Sequence, residues 1–300
     1  MSGEMHMPDA VSIRSLNFRI GGRDILKNAA LQIPQGALFA LVGNNGAGKT
    51  TLLKILLGLE LQYQGEITLF GSRDLAAQRR KIGAVMSILR SDPLMRGREY
   101  LHEMCLLCGA DPKNEIERAA EMTECAGYLD KRLNACSDGM HQRIMIAGAL
   151  VGSPELLVLD EPFRAIDPYG MENMRILLRS LHKKGVTIIV ASHILTELVR
   201  LTSDFGVICE GEITFAGSAE QMKAQQCQRY LYAADDLAAG IRILRQDYPQ
   251  LCTLPYCDDS IAVIAQTPPD LPAQYRFCGS APAETGEILR YYMSGKERLQ

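Results

Sequence analysis

The sequence predicts an α/β protein whose parallel sheet is covered on both faces. Three observations carry that expectation. Continuous apolar runs at 37–42, 156–159 and 186–191 have strand length and no polar alternation, as strands buried on both faces do. Helix-periodic segments follow the first run at 49–57 and the last at 194–201. The composition is that of a globular chain: 47% hydrophobic and 22% charged over 300 residues, long enough for one large core and a second small domain.

The same numbers exclude several classes. Lys and Arg total 32 against 35 Asp and Glu, a net charge of -3, so no positive excess exists to release counterions from nucleic acid. With 7 Phe, 11 Tyr and no Trp, the chain does not advertise base-stacking platforms. No run approaches the 18 or so apolar residues of a membrane span. Residues Met1 to Pro8 lack a basic segment ahead of an apolar one, so no secretory signal is expected. Nine cysteines without framework spacing read as reduced thiols, and Cys105 and Cys108 read as helix-face residues because no second pair completes a zinc site.

Taken in chain order, the first strand run leads into a glycine-rich loop. Gly43, Asn44, Asn45, Gly46, Ala47, Gly48, Lys49 and Thr50 fit G-x-x-x-x-G-K-[ST], with a strand before and a helix after. Glycines let consecutive N–H groups curl toward a phosphate, and the helix N-terminus adds partial positive charge. Lys49 neutralises β/γ-phosphate charge and Thr50 offers a hydroxyl to Mg2+. A short strand at 82–86 comes next. Residues 88–150 then carry helical spacing at 99–107, 113–126 and 141–151, a helical insertion. The run 156–159 ends in Asp160 and Glu161, which places both acids at the C-terminal edge of a strand, where α/β ligands bind. There Asp160 can hold Mg2+ through water, and Glu161 can orient or deprotonate an attacking water.

Composition shifts after residue 227. Seven of the 11 Tyr and six of the 13 Pro lie beyond it. Strand-like runs at 229–233, 261–265 and 274–278, and helix-like runs at 236–245 and 283–293, predict a small α+β domain. The expected boundaries are 8–227 and 228–300. The tail either binds a regulator, lengthens a contact between copies, or covers an apolar edge of the main domain.

Five motifs in order complete the pattern: the glycine-rich loop, Cys136-Ser137-Asp138-Gly139-Met140-His141-Gln142-Arg143, the Asp160–Glu161 strand, Ala165-Ile166-Asp167, and Ala191-Ser192-His193. Together they resemble the ATP-binding cassette ATPases of ABC transporters over roughly residues 10–220. The resemblance implies a P-loop NTPase cassette: a RecA-like core sheet, an antiparallel β subdomain and a helical subdomain. It implies ATP and Mg2+ as ligands, a separate membrane permease as partner, and a dimer of ATP-binding subunits, homomeric or heteromeric. The chain is then an ATPase in the cytoplasm, peripheral on the inner face of the membrane.

Residue by residue, the resemblance places Gly43 through Lys49, Thr50 and Thr51 on the ATP phosphates. Ser137 and Gly139 reach the γ-phosphate of the partner copy, Asp167 lies at the dimer interface, and His193 faces the γ-phosphate beside catalytic Glu161. Thr50, Asp160 and Ser87 make the Mg2+ set. Three departures stand out. The signature reads C-S-D-G-M rather than L-S-G-G-Q, which puts the negative Asp138 near a phosphate. Ser87 stands where a glutamine is expected. Ile20 stands where an aromatic stacks on adenine, with Phe18 as a substitute two residues earlier. The S-x-G-M-x-Q-R form of the signature and the segment after His193 resemble the bacitracin-resistance and lantibiotic-immunity exporters. Three other readings compete: a weakly active regulatory subunit, a non-transport cassette ATPase acting on ribosomes or DNA, and a small-metabolite kinase.

Overall fold

The computed structural model describes residues 9–86, 92–164, 166–249, 251–257 and 260–294. The chain opens with β1 (Asp9–Ile20), β2 (Arg23–Pro34), β3 (Leu38–Val42), α1 (Lys49–Leu57), β4 (Gln64–Leu69), α2 (Leu75–Arg79) and β5 (Ile82–Val85). Then come α3 (Gly97–Cys108), α4 (Pro112–Thr123), α5 (Asp138–Leu150), β6 (Leu156–Asp160), α6 (Pro168–Lys183), β7 (Thr187–Ser192), α7 (Leu195–Leu201), β8 (Asp204–Cys209) and β9 (Glu212–Ser218). The last part holds α8 (Ala219–Ala224), β10 (Gln228–Ala233), α9 (Leu237–Asp247), β11 (Cys252–Cys257), β12 (Ser260–Ala265), β13 (Arg276–Pro282) and α10 (Thr285–Met293).

The central sheet runs β5-β6-β7-β3-β8-β9. All its pairings are parallel except β8 with β9. The apolar runs are its middle strands, and their lack of alternation has a direct cause. Leu38, Ala40 and Val42 point into one core with α6 and α7, while Phe39 and Leu41 point into another with α1. Period-two geometry with two dry faces demands an apolar residue at every interior position. A second sheet, ordered β2-β1-β4 and antiparallel, closes the α1 side. The strands and helices of the first 220 residues thus make the mixed α/β cassette that the sequence predicts.

Helices α3, α4 and α5 pack on each other through Leu101, Cys105, Ile116, Ala120, Leu129 and Ile144. They form the expected helical layer. Cys105 is buried within it and Cys108 is exposed on the same helix, and no metal-ligand cluster is present among the described residues. Gly83 lets α5 approach β5: a Cβ there would lie 1.8 Å from the Ala149 carbonyl oxygen. Two predicted helix bounds shift. The helix expected from 141 starts at Asp138, because the Ser137 hydroxyl accepts from the Met140 N–H and caps it. The helix expected to run to 126 ends at Thr123, where Glu124 turns left-handed at φ 56°.

The tail sheet runs β11-β12-β10-β13 and is antiparallel throughout. β11 was not predicted, since Pro255 interrupts it, and the sheet tolerates that proline because β11 is an edge strand. β13 lies later than expected, at 276–282. The residue before it, Tyr275, is buried and donates its hydroxyl to the Gly240 carbonyl of α9. One face of this sheet packs with α9 around Tyr230, Tyr232, Leu244 and Val263. On the other face Cys252, Ala262 and Ile264 join the main core, together with Ile288, Leu289, Tyr291 and Tyr292 of α10. Thr214 of β9 donates to the Tyr292 carbonyl at 3.1 Å, and the Phe215 and Tyr292 rings stand 5.1 Å apart.

Candidate functional site

The glycine-rich loop leaves β3 and enters α1 at the C-terminal edge of the central sheet. Gly43 lies so close to β8 that a Cβ would sit 2.5 Å from the Ile208 carbonyl oxygen. Gly48 holds φ 114° at the head of α1, a conformation that strains any L side chain. The loop is braced from outside, with Gly211 N–H donating to the Ala47 carbonyl at 3.0 Å. Asn44, Asn45 and Gly46 are exposed at its tip, whereas Ala47, Gly48 and Lys49 are buried. Thr50 and Thr51 are half-buried on the first turn of α1.

Lys49 is only 6% exposed. Its Nζ donates to the Gly43 carbonyl at 2.7 Å and the Asn44 carbonyl at 3.2 Å, so the ammonium lies within its own loop. Burial pushes its pKa down, and the nearby Glu161 and Asp160 carboxylates push it back up. The Thr50 hydroxyl donates to Asp160 Oδ2 at 3.1 Å. A hydroxyl and a carboxylate held side by side form an all-oxygen donor set that suits a hard divalent cation. The third residue of the expected set, Ser87, lies outside the described residues.

Glu161 is the residue just past β6. Its backbone sits at φ 56°, in the left-handed region, which costs a non-glycine residue about 1–3 kcal/mol. Three bonds hold it there. Its N–H donates to the Ala191 carbonyl at 2.8 Å, Ser192 Oγ donates to Oε2 at 2.8 Å, and His193 Nδ1 stands 2.9 Å from Oε1. An Nδ1–H that donates to the carboxylate leaves Nε2 free to bond elsewhere. The motif pattern assigns Ser192 no role, although its place beside His193 at the end of a buried strand is a signal for one. Below this point Arg175 of α6 bonds Glu197 of α7 in a buried pair, tying the helix that follows Asp167 to the one that follows His193.

The structure therefore brings Lys49, Thr50, Asp160, Glu161 and His193 to adjacent strand ends. The other expected residues make local bonds instead. Ser137 caps α5, with Asp138 exposed and Gly139 half-buried beside it. Asp167 caps α6 by accepting from the Gly170 N–H at 2.6 Å. Phe18 is not free to stack on a base: it is 5% exposed and packed in the α1-side core, whereas Ile20 at the end of β1 is 53% exposed.

Comparison with known proteins agrees with this architecture. The family profile described as ABC transporter matches residues 26–164. The chain is 37% identical over 205 residues to the lantibiotic transport ATP-binding protein SrtF of Streptococcus pyogenes, covering 68% of this chain and 88% of that protein. It is 29% identical over 248 residues to the bacitracin transport ATP-binding protein BcrA of Enterococcus faecalis, covering 81% and 80%. Among solved structures, a dimeric bacterial ABC transporter cassette superposes with a TM-score of 0.61 at 25% identity, covering 69% of this chain and 98% of that one. A glycine-rich strand-loop-helix, a carboxylate strand beside it and relatives of this kind place the chain in the ABC transporter family, as an ATP-binding subunit that hydrolyses ATP.

Proposed function

We propose that this chain powers export of an antimicrobial peptide or similar compound through a separate permease, acting as one of two ATP-binding subunits. One observation carries the chemical part: Lys49, Thr50, Asp160, Glu161 and His193 stand on neighbouring strand ends, with Glu161 held by both Ser192 and His193. The cargo class is supported by the relatives, which are named for lantibiotic and bacitracin transport. Among the described residues no helix is long and apolar enough to cross a membrane, which suits a motor whose spans belong to another chain. Attachment to the inner membrane face through that permease is part of the proposal. So is the division into a cassette of residues 8–227 and a small α+β unit of residues 228–300, which the separate tail sheet supports.

In this reading the loop from Gly43 to Thr51 holds the ATP phosphates. Thr50 and Asp160, with Ser87 as the third ligand of the expected set, would hold Mg2+, which when bound would neutralise phosphate charge. Glu161 orients water for in-line attack on the γ-phosphorus, or takes its proton, as the bond to the β-phosphate oxygen breaks. His193 and Lys49 stabilise the charge that develops. Ser137, Gly139 and Asp167 serve the second copy rather than their own site, which is why their bonds here are local. Dimer closure is then linked to ATP occupancy and opening to its hydrolysis.

Glu161→Gln tests the core of this reading. ATP binding should stay near the wild-type level while steady-state phosphate release falls by about a thousandfold, in the range of a lost general base. Undiminished turnover overturns the role of Glu161. For the cargo, loss of the chain from its host should raise sensitivity to lantibiotics or bacitracin and leave sensitivity to unrelated antibiotics unchanged. A second reading, a weakly active partner in a heterodimer, is favoured by the exposed Asp138 at the signature. ATPase activity of the purified chain alone separates the two.

A further inference from the structure

The tail also builds part of a cleft beside the nucleotide edge. The cleft has a volume of about 610 Å³. On the cassette side it is lined by Asn44 of the glycine-rich loop and by His193 with the start of α7. On the tail side it is lined by Arg245 at the end of α9, Leu254 of β11, and Arg290 and Met293 of α10. No Asp or Glu lines it among the described residues. Both arginines are exposed. Arg245 reaches only the Thr253 carbonyl, at 3.5 Å, and Arg290 has no hydrogen bond or ion pair among the described residues. Two guanidiniums and an amide thus face one space with no carboxylate beside them among the described residues, and the imidazole of His193 joins them from its bond to Glu161.

We propose that this cleft is a phosphate-binding site that the tail adds to the cassette, and that it takes inorganic phosphate at the exit from the nucleotide site. The argument is one of charge and adjacency. A phosphate dianion satisfies two planar guanidiniums as no neutral ligand does. Leu254 and Met293 thin the water around them, which strengthens the attraction. Asn44 and His193 belong both to the cleft and to the site where phosphate is released. His193 is in addition the hydrogen-bond partner of Glu161, so an occupied cleft is felt at the glutamate that handles water. The proposal rests on the reading of Glu161 and His193 as the γ-phosphate end. It goes further by giving the tail a part in turnover.

The test is inhibition of turnover by added inorganic phosphate, measured on the full chain over ATP concentrations from below KM to saturation, with ionic strength matched by KCl. ADP formation is followed for wild type, Arg290→Gln, Arg245→Gln and Arg290→Lys. Phosphate should inhibit wild type without competing with ATP. Each glutamine variant should raise the inhibition constant about fivefold, the scale of one exposed charge contact, and Arg290→Lys should lose less. Purely competitive inhibition, equal in all four proteins, overturns the proposal, because phosphate then acts only in the nucleotide site. A change in self-association with unchanged phosphate inhibition assigns the arginines to a contact between copies and also overturns it. The two proposals fail differently: absence of ATP hydrolysis by wild type removes the assigned chemistry, whereas hydrolysis with tail-independent inhibition removes only the cleft.

Discussion

The two ends of the expected nucleotide site are built on opposite plans. At the loop end, Lys49 is held by its own loop, but Thr50 and Glu161 are held by residues distant in sequence. Thr50 bonds Asp160 across two strands, and Glu161 is fixed by Ser192 and His193 from 31 and 32 residues away. At the signature end, Ser137 bonds only its own helix and Asp138 stands in solvent. The first is a cross-bonded cluster whose geometry this chain enforces alone. The second is an outward-facing helix N-terminus that completes nothing within its own fold. Under the proposed site shared between two copies, the contrast teaches that the unit of function is larger than the unit of folding.

Substitutions at the two ends should break that contrast in different ways. The largest effect is expected at the loop. Lys49→Met should lower kcat/KM for ATP by at least a hundredfold, on the scale of losing a preorganised charge. It should not lower the thermal midpoint of the ligand-free chain, because burial of the ammonium already opposes folding. A strong loss of stability instead would mean that the Lys49 bonds to Gly43 and Asn44 hold the loop together.

Next comes the signature. Ser137→Ala removes a cap, so stability should fall by about 1 kcal/mol in a denaturant titration. Ser137→Asp keeps the capping oxygen and adds charge, so it should hold stability yet lose ATPase activity. Equal activity in the aspartate variant would show that Ser137 serves only α5. A smaller gain is expected from Asp138→Asn. Removing one negative charge beside a shared phosphate should raise ATPase by about fivefold at most, the scale of one exposed charge pair. That gain should appear as a shift to lower protein concentration for half-maximal activity. A concentration-independent rate would sink the two-copy reading.

The smallest effect concerns pH. His141 follows the signature on α5, and burial pushes its imidazole below the ordinary value of 6.5 while Asp138 opposes the shift. A depressed imidazole favours the neutral fold, so the unfolded chain binds the proton first as pH falls. Stability is therefore lost as pH drops from above 6.5 through the folded-state value. His141→Gln should flatten that loss in melts recorded between about pH 7.5 and 5. An unchanged slope would place the acid sensitivity elsewhere.

Much of this was legible in the sequence, for physical reasons. A strand with two dry faces must be apolar along its interior, so β3, β6 and β7 announce themselves. The loop at Lys49 is legible because close approach to Ile208 and a positive φ leave glycine as the residue that fits. Other features were hidden because they depend on partners distant in sequence. Nothing local tells that Phe18 is taken up by the core and cannot face a base. Nothing local tells that Ser192 braces Glu161, or that Pro255 lies in an edge strand. The capping role of Ser137 was readable in principle from its place before a helical run, but periodicity alone started the helix three residues late.

The placement of Tyr291 and Tyr292 in the main core has a consequence for synthesis. Every strand of the central sheet is made before α10, and Phe205, Val207 and Phe215 share a core with residues that leave the ribosome some 80 positions later. Until α10 docks, the nascent cassette carries an uncovered aromatic and aliphatic patch, the kind of surface that draws chaperones or leads to aggregation. Ribosome-bound fragments halted near residue 227 should therefore be protease-sensitive and sticky even though all the nucleotide-site residues have already been synthesised. The motor becomes a stable object only when its tail arrives.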